Sequence, residues 1–144
     1  MITFRLATDY IHGFVVIIVR GINVKTNPLM NSSEQLAVDI EKMCKNLINK
    51  KDNSNTIFQI RKSSSSVFAN ISEAQYPQSL PDMLSKFKIA REECAETESW
   101  LKLLYSAESI DEETFKKYRN LCGRIRRMLT SSCITIENKI SSGK

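Results

Sequence analysis

The chain has 144 residues, 42% of them apolar and 26% charged, with 21 Lys and Arg against 16 Asp and Glu for a net charge of +5. That length supports one hydrophobic core and not two. No run approaches the ~20 apolar residues that cross a bilayer, and four Gly with three Pro are too few for a sandwich of short strands.

In chain order, the first segment is unlike the rest. Phe14-Val-Val-Ile-Ile-Val19 is a β-branched run flanked by Gly13 and Gly21. As a strand it needs a partner, and no second strand pattern stands near it. As a signal peptide it is interrupted by Asp9 and His12 and lacks a small-residue cleavage site. Residues 1–30 are therefore expected to be an irregular extension, and Met30 is an alternative start of translation directly before the first helix signal.

From residue 31 the pattern is helical. Ser33 is a candidate N-cap, after which Leu36, Ile40, Met43 and Leu47 recur at helical spacing. Residues 50–55 read as a polar link. A second helix is predicted over 56–75, with Ile57, Ile60, Val67, Phe68 and Ile71 apolar. The third begins at Pro81, a good first-turn residue, and carries Leu84, Phe87, Ala90, Cys94, Leu101 and Leu104. Asp111 or Ser109 caps the fourth, where Phe115, Tyr118, Cys122, Ile125, Leu129, Ile136 and Ile140 continue the stripe. The fold class this predicts is all-α, an antiparallel up-down-up-down four-helix bundle over residues 31–144.

Cys44, Cys94, Cys122 and Cys133 form no CxxC pair and fall among apolar residues. They read as buried free thiols of a cytoplasmic protein. With His12 the only histidine and far from the helices, no metal or other cofactor is expected.

Ser63-Ser64-Ser65-Ser66 is unusual within a helix. Its simplest role is to let a neighbouring helix come close, with hydroxyls bonded to the preceding turn; a phosphorylated or hydroxyl-rich contact strip is the alternative. Asn70 and Glu73 share a face and suggest a polar network that sets register or a subunit contact. Glu73 with Glu96 is the pair that keeps an enzyme in view, but no convergent set of polar groups accompanies it, and a non-enzymatic protein is expected. In the third helix Glu92, Glu93, Glu96 and Glu98 precede a basic fourth helix; a hairpin turn near Ser109 sets Glu92 roughly opposite Arg126. Much of that basic run is expected to meet its own acids. Trp100, the single tryptophan, lies off the main stripe beside Glu96 and suggests a subunit contact, with base stacking as the alternative.

Two stretches together carry a resemblance. Gln59-Ile-Arg61-Lys-Ser63 with Ser66-Val-Phe-Ala-Asn70-Ile-Ser-Glu73-Ala74 is followed by Phe87-Lys-Ile-Ala90-Arg-Glu92 and Glu96-Thr97-Glu98-Ser-Trp100-Leu101. They resemble the two central helices of the bacterial 23S rRNA intervening-sequence protein family over roughly residues 31–136. The match is most specific at Asn70, Glu73, Glu96 and Thr97. The chain departs from the family pattern at Ser72, at Ser99 and in the length of its serine run. The resemblance implies a four-helix bundle, similar to the accessory variability protein of diversity-generating retroelements. It further implies self-association as a homopentamer, with nucleic acid and a reverse transcriptase as the kinds of partner found in that related group. The leading expectation is RNA or DNA binding through backbone phosphates by Arg61, Lys62, Arg124, Arg126 and Arg127. The alternative is a protein-binding scaffold that uses the Trp100 face without nucleic acid.

Overall fold

The computed structural model describes residues 10–11, 14–19, 22–50, 52 and 55–143. His12, with Lys51, Asn53 and Ser54 of the polar link, lies outside the described residues. Among the described residues of the N-terminal segment, strands stand where an irregular extension was expected. β1 (Tyr10–Ile11), β2 (Phe14–Val19) and β3 (Ile22–Thr26) form a three-stranded antiparallel sheet in the order β1-β2-β3. Tyr10 and Thr26 both stand opposite Val15, and Val19 stands opposite Ile22. The apolar run is the central strand. Its partners escaped notice because one has two residues and the other interleaves Asn23 and Lys25 with its apolar positions.

Four helices make the all-α domain: α1 (Pro28–Asn49), α2 (Asn55–Glu73), α3 (Leu80–Ser106) and α4 (Glu112–Ser141). α1 starts earlier than the sequence suggests. Pro28 opens it, where a missing N–H costs nothing, and the Asn27 side chain accepts from the Met30 N–H at 3.0 Å. Ser33, the expected cap, is buried inside the helix and donates to the Met30 carbonyl at 2.8 Å. Asn27 also donates to Gln75 at 2.8 Å, tying the start of α1 to the chain just after α2. Ser79 caps α3, accepting from Asp82 N–H at 3.2 Å, and Asp111 caps α4, accepting from Thr114 N–H at 2.7 Å. A hydrogen bond with the Thr114 side chain, joined by this backbone one, holds the Asp111 carboxyl below the usual carboxylate range.

α1 packs on α2, α2 on α3, α3 on α4, and α4 returns to α1, while the backbones of the two diagonal pairs stay apart among the described residues. The interior is filled from all four helices, with Leu36 and Ile40, Ile60 and Ile71, Phe87 and Leu101, and Ile125 and Leu129 essentially fully buried. Each such side chain contributes about 1.5–3 kcal/mol through burial. The domain is thus a four-helix bundle, with α1–α4 its thinnest seam.

The α3–α4 turn carries a local cost. Ser109 N–H bonds Leu104 O at 2.9 Å and Glu108 N–H bonds Tyr105 O at 3.0 Å, the pairing of a Schellman cap. Glu108 occupies the left-handed position with φ of 59°, where a side chain is strained and glycine is not. Glu108→Gly should stabilise the protein by about 0.5–1 kcal/mol after allowance for the more flexible unfolded chain, read as a raised urea midpoint at unchanged slope.

Candidate functional site

The five basic residues named from the sequence separate into two kinds. Arg61 and Arg126 belong to seams between helices. Arg61 grips Glu41 of α1 with two hydrogen bonds, Nε to Oε2 at 2.7 Å and Nη2 to Oε1 at 2.8 Å. Arg126 Nη2 lies 3.0 Å from Glu98 Oε2 on α3. Lys62, Arg124 and Arg127 are exposed and have no ion pair among the described residues. Arg124 and Arg127, three apart, share the outer side of α4. Lys62 lies on α2, diagonally across the bundle from α4. One bundle therefore does not gather the five into a single patch.

Among the described residues one acid of α3 meets a base of α4, fewer than expected and in a shifted register, and a second pair across that seam has the opposite polarity. Arg126 pairs with Glu98 rather than facing Glu92, and Lys88 pairs with Glu137 at 2.9 Å. Helical side chains lean toward the N-terminus of their own helix, so long partners several positions out of register still meet. Lys117 approaches Asp39 of α1 at 3.6 Å.

The remaining candidates have structural partners. Asn70 donates within its own helix, to Ser66 O at 2.9 Å and Ser66 Oγ at 3.2 Å. Glu73 pairs with Lys86 of α3. Glu96 accepts from the Trp100 indole N–H at 2.9 Å, and Trp100 is half-buried against the core. Asn70 and Glu73 thus form no joint network, and Glu73 and Glu96 are held by different partners. Thr97 is fully buried, with Oγ1 2.8 Å from Ser63 Oγ and 2.9 Å from the Glu93 carbonyl oxygen; Ser63 Oγ lies 3.3 Å from the Ile60 carbonyl. Two hydroxyl protons serve three oxygens there.

Two features escaped the sequence. One is a set of exposed apolar side chains, among them Phe58 of α2 at 63%, Leu103 of α3 at 46% and Ile134 of α4 at 52%, with Tyr76 just past α2 at 89%. The other is a cavity along α4 lined by Arg127, Ser131, Ser132, Thr135 and Lys139. Its only sequence signal is a cluster of hydroxyls late in that helix.

The thiols are chemically quiet. Burial pushes Cys44 up to about 11 and raises Cys133, while a hydrogen bond with Cys94 and burial raise Cys122 further. All four cysteines are buried and free. No group of three His, Cys, Asp or Glu able to hold a metal occurs among the described residues. No described helix is long and apolar enough to cross a membrane.

Fold and surface together define a small helical-bundle protein with ion-paired seams and an unpaired basic side on α4. A sequence model described as 23S rRNA-intervening sequence protein matches residues 25–131, and the chain belongs to that family. It is also similar, at 35% identity and a TM-score of 0.71, to the crystal structure of a protein of unknown function from the S23 ribosomal protein family of Bacteroides thetaiotaomicron. That likeness covers 73% of this chain and 97% of the other. No curated protein matches the chain. The matched region opens ahead of Asn27 and Leu29, in keeping with the early start of α1.

Two outcomes follow from these contacts. Thr97→Val should cost about 1–3 kcal/mol by leaving buried partners short of a hydrogen bond, and adding Ser63→Ala should cost less than it does alone; urea unfolding of the four proteins completes the cycle. The Arg61 hydrogen bonds hold Glu41 below its ordinary 4.5. A depressed folded value means this stabilisation is present above the unfolded pKa and lost as pH falls through the folded one. Carboxyl NMR should place the Glu41 midpoint below 4.5, and Arg61→Ala should move it upward.

Proposed function

We propose that this protein is a non-enzymatic, self-associating antiparallel up-down-up-down bundle that binds RNA or DNA through backbone phosphates in the cytoplasm. The observation that carries the proposal is the pair Arg124 and Arg127, exposed on one side of α4 without carboxylate partners among the described residues. Lys62 adds a second unpaired cation. Arg61 and Arg126 contribute only where phosphate displaces Glu41 and Glu98, an exchange that weak surface pairs permit.

The helix directions are inferred from the cross-helix contacts. Partners descend one helix as they ascend the next: Glu41 with Arg61 and Cys44 with Ile57, Ser63 with Thr97 and Glu73 with Lys86, Glu98 with Arg126 and Lys88 with Glu137. Self-association is supported by the exposed apolar side chains Phe58 on α2 and Leu103 on α3. Residues 31–144 hold 18 basic and 15 acidic residues, a net charge of +3. A closed ring, a homopentamer by the family resemblance, repeats that charge about its axis and brings separated cations into one field. The second reading, a scaffold for a protein partner such as a reverse transcriptase, is favoured by the same apolar side chains if they stay uncovered in the oligomer.

The test is fluorescence anisotropy with single-stranded RNA at several salt concentrations, on protein whose mass is fixed by light scattering. Changing Lys62, Arg124 and Arg127 together to Ala should weaken binding and lower the slope of log K against log salt by about 2 per protomer. Unchanged binding sinks the phosphate assignment. A monomer sinks the ring, and salt-insensitive capture of a protein partner favours the scaffold.

A further inference from the structure

Along the thin α1–α4 seam runs a cavity of about 420 Å³. Its apolar side is formed by Leu29, Phe87, Met128 and Ile136. On α4 its lining extends from Arg127 to Lys139, about 18 Å of helix at ~1.5 Å per residue. The volume falls in the range of small-molecule sites, and spread over that length it is long and narrow, shaped for a chain rather than a ring system.

Its charge is unlike that of the ion pairs at the other seams. At the other seams Arg61 pairs with Glu41, Arg126 with Glu98 and Lys88 with Glu137, while Arg91, near Cys133 of α4, has no ion pair among the described residues. The described lining of this cavity contains no Asp or Glu, and neither Arg127 nor Lys139 has an ion pair among the described residues. The counter-charge is missing where the walls are otherwise apolar. A nucleotide is too polar for those walls, and phosphate alone cannot fill them.

We propose that this groove binds a single-chain anionic amphiphile of the fatty-acid type. Its chain lies against Leu29, Phe87, Met128 and Ile136, and its carboxylate pairs with the cation at one end of the groove, Lys139, beside the hydroxyl of Thr135 one helical turn away. The site is distinct from the family's shared region in part, since Ser132, Thr135, Ile136 and Lys139 lie beyond the last matched residue.

Calorimetric titration of the full chain with dodecanoate below its micellar concentration tests this. The expected result is saturable binding, with dodecyltrimethylammonium about tenfold weaker or worse. Lys139→Gln should loosen dodecanoate about tenfold. Thr135→Trp, at an exposed position that leaves the core untouched, should block the groove with native circular dichroism retained. Failure to saturate, equal binding of the cationic amphiphile, or an unchanged affinity in both variants overturns the proposal. Lys139 lies outside the set proposed for nucleic acid, so its single substitution separates loss of this site from loss of phosphate binding.

Discussion

A hydroxyl pair inside an apolar bundle sets the register on which the other contacts depend. Ser63 and Thr97 meet at 2.8 Å across α2 and α3, both essentially without solvent exposure. An aliphatic interface tolerates sliding, because one methyl replaces another at small cost. Buried hydroxyls do not, since either group left unpaired loses its hydrogen bonds to water without replacement. Sliding α3 by a turn would leave Thr97 opposite aliphatic carbons and Ser63 beside none of its present partners. Small side chains at this crossing serve the same end, by letting the two helices approach closely enough for the hydroxyls to meet.

The serine run shows how much a helix separates neighbours. Ser63 and Ser64 are buried, Ser65 is exposed and Ser66 is half-buried. Three of the four return their hydroxyl to the carbonyl three residues back, Ser63 to Ile60, Ser64 to Arg61 and Ser65 to Lys62. The run is therefore not one strip. Ser63 builds the α2–α3 contact through Thr97, Ser64 is buried with its hydroxyl on its own helix, and Ser65 lies outside. The departure of this stretch from good helix-forming sequence is offset by local bonds and by packing.

The helices and their inner faces were legible because apolar residues at three- and four-residue spacing can satisfy only one structure. Asp111 was legible as a cap for a related reason, an acid and hydroxyl-rich turn before a periodic stripe. The start of α1 was misplaced because Ser33 looked like a cap, although Asn27-Pro28 carries the stronger signal once the chain is read from the proline. The sheet was missed because β1 has two residues and the alternation of β3 runs over only five. Within the site, residue types were legible and their engagement was not. Arg61 and Lys62 are adjacent in sequence, yet one is clamped by Glu41 and the other has no ion pair among the described residues. That difference arises from the 100° between successive helical residues and from which neighbouring helix presents a carboxylate, and the second fact is tertiary.

Electrostatic engagement also decides what the positive charge is able to do. The seam pairs are partly exposed and worth little as stability, but each one neutralises a cation locally and so removes it from the outward field. What remains is carried by a few side chains on separate helices, with α2 and α4 on opposite sides of the bundle. A single bundle with such dispersed charge makes a poor nucleic-acid surface, because phosphate contacts gain affinity by acting together along a strand. The exposed apolar side chains Phe58 and Leu103 offer a way to bring the charges of several copies together. Under the proposed function, self-association and phosphate binding would be linked, because apolar contacts between copies would fix how far apart their cations repeat.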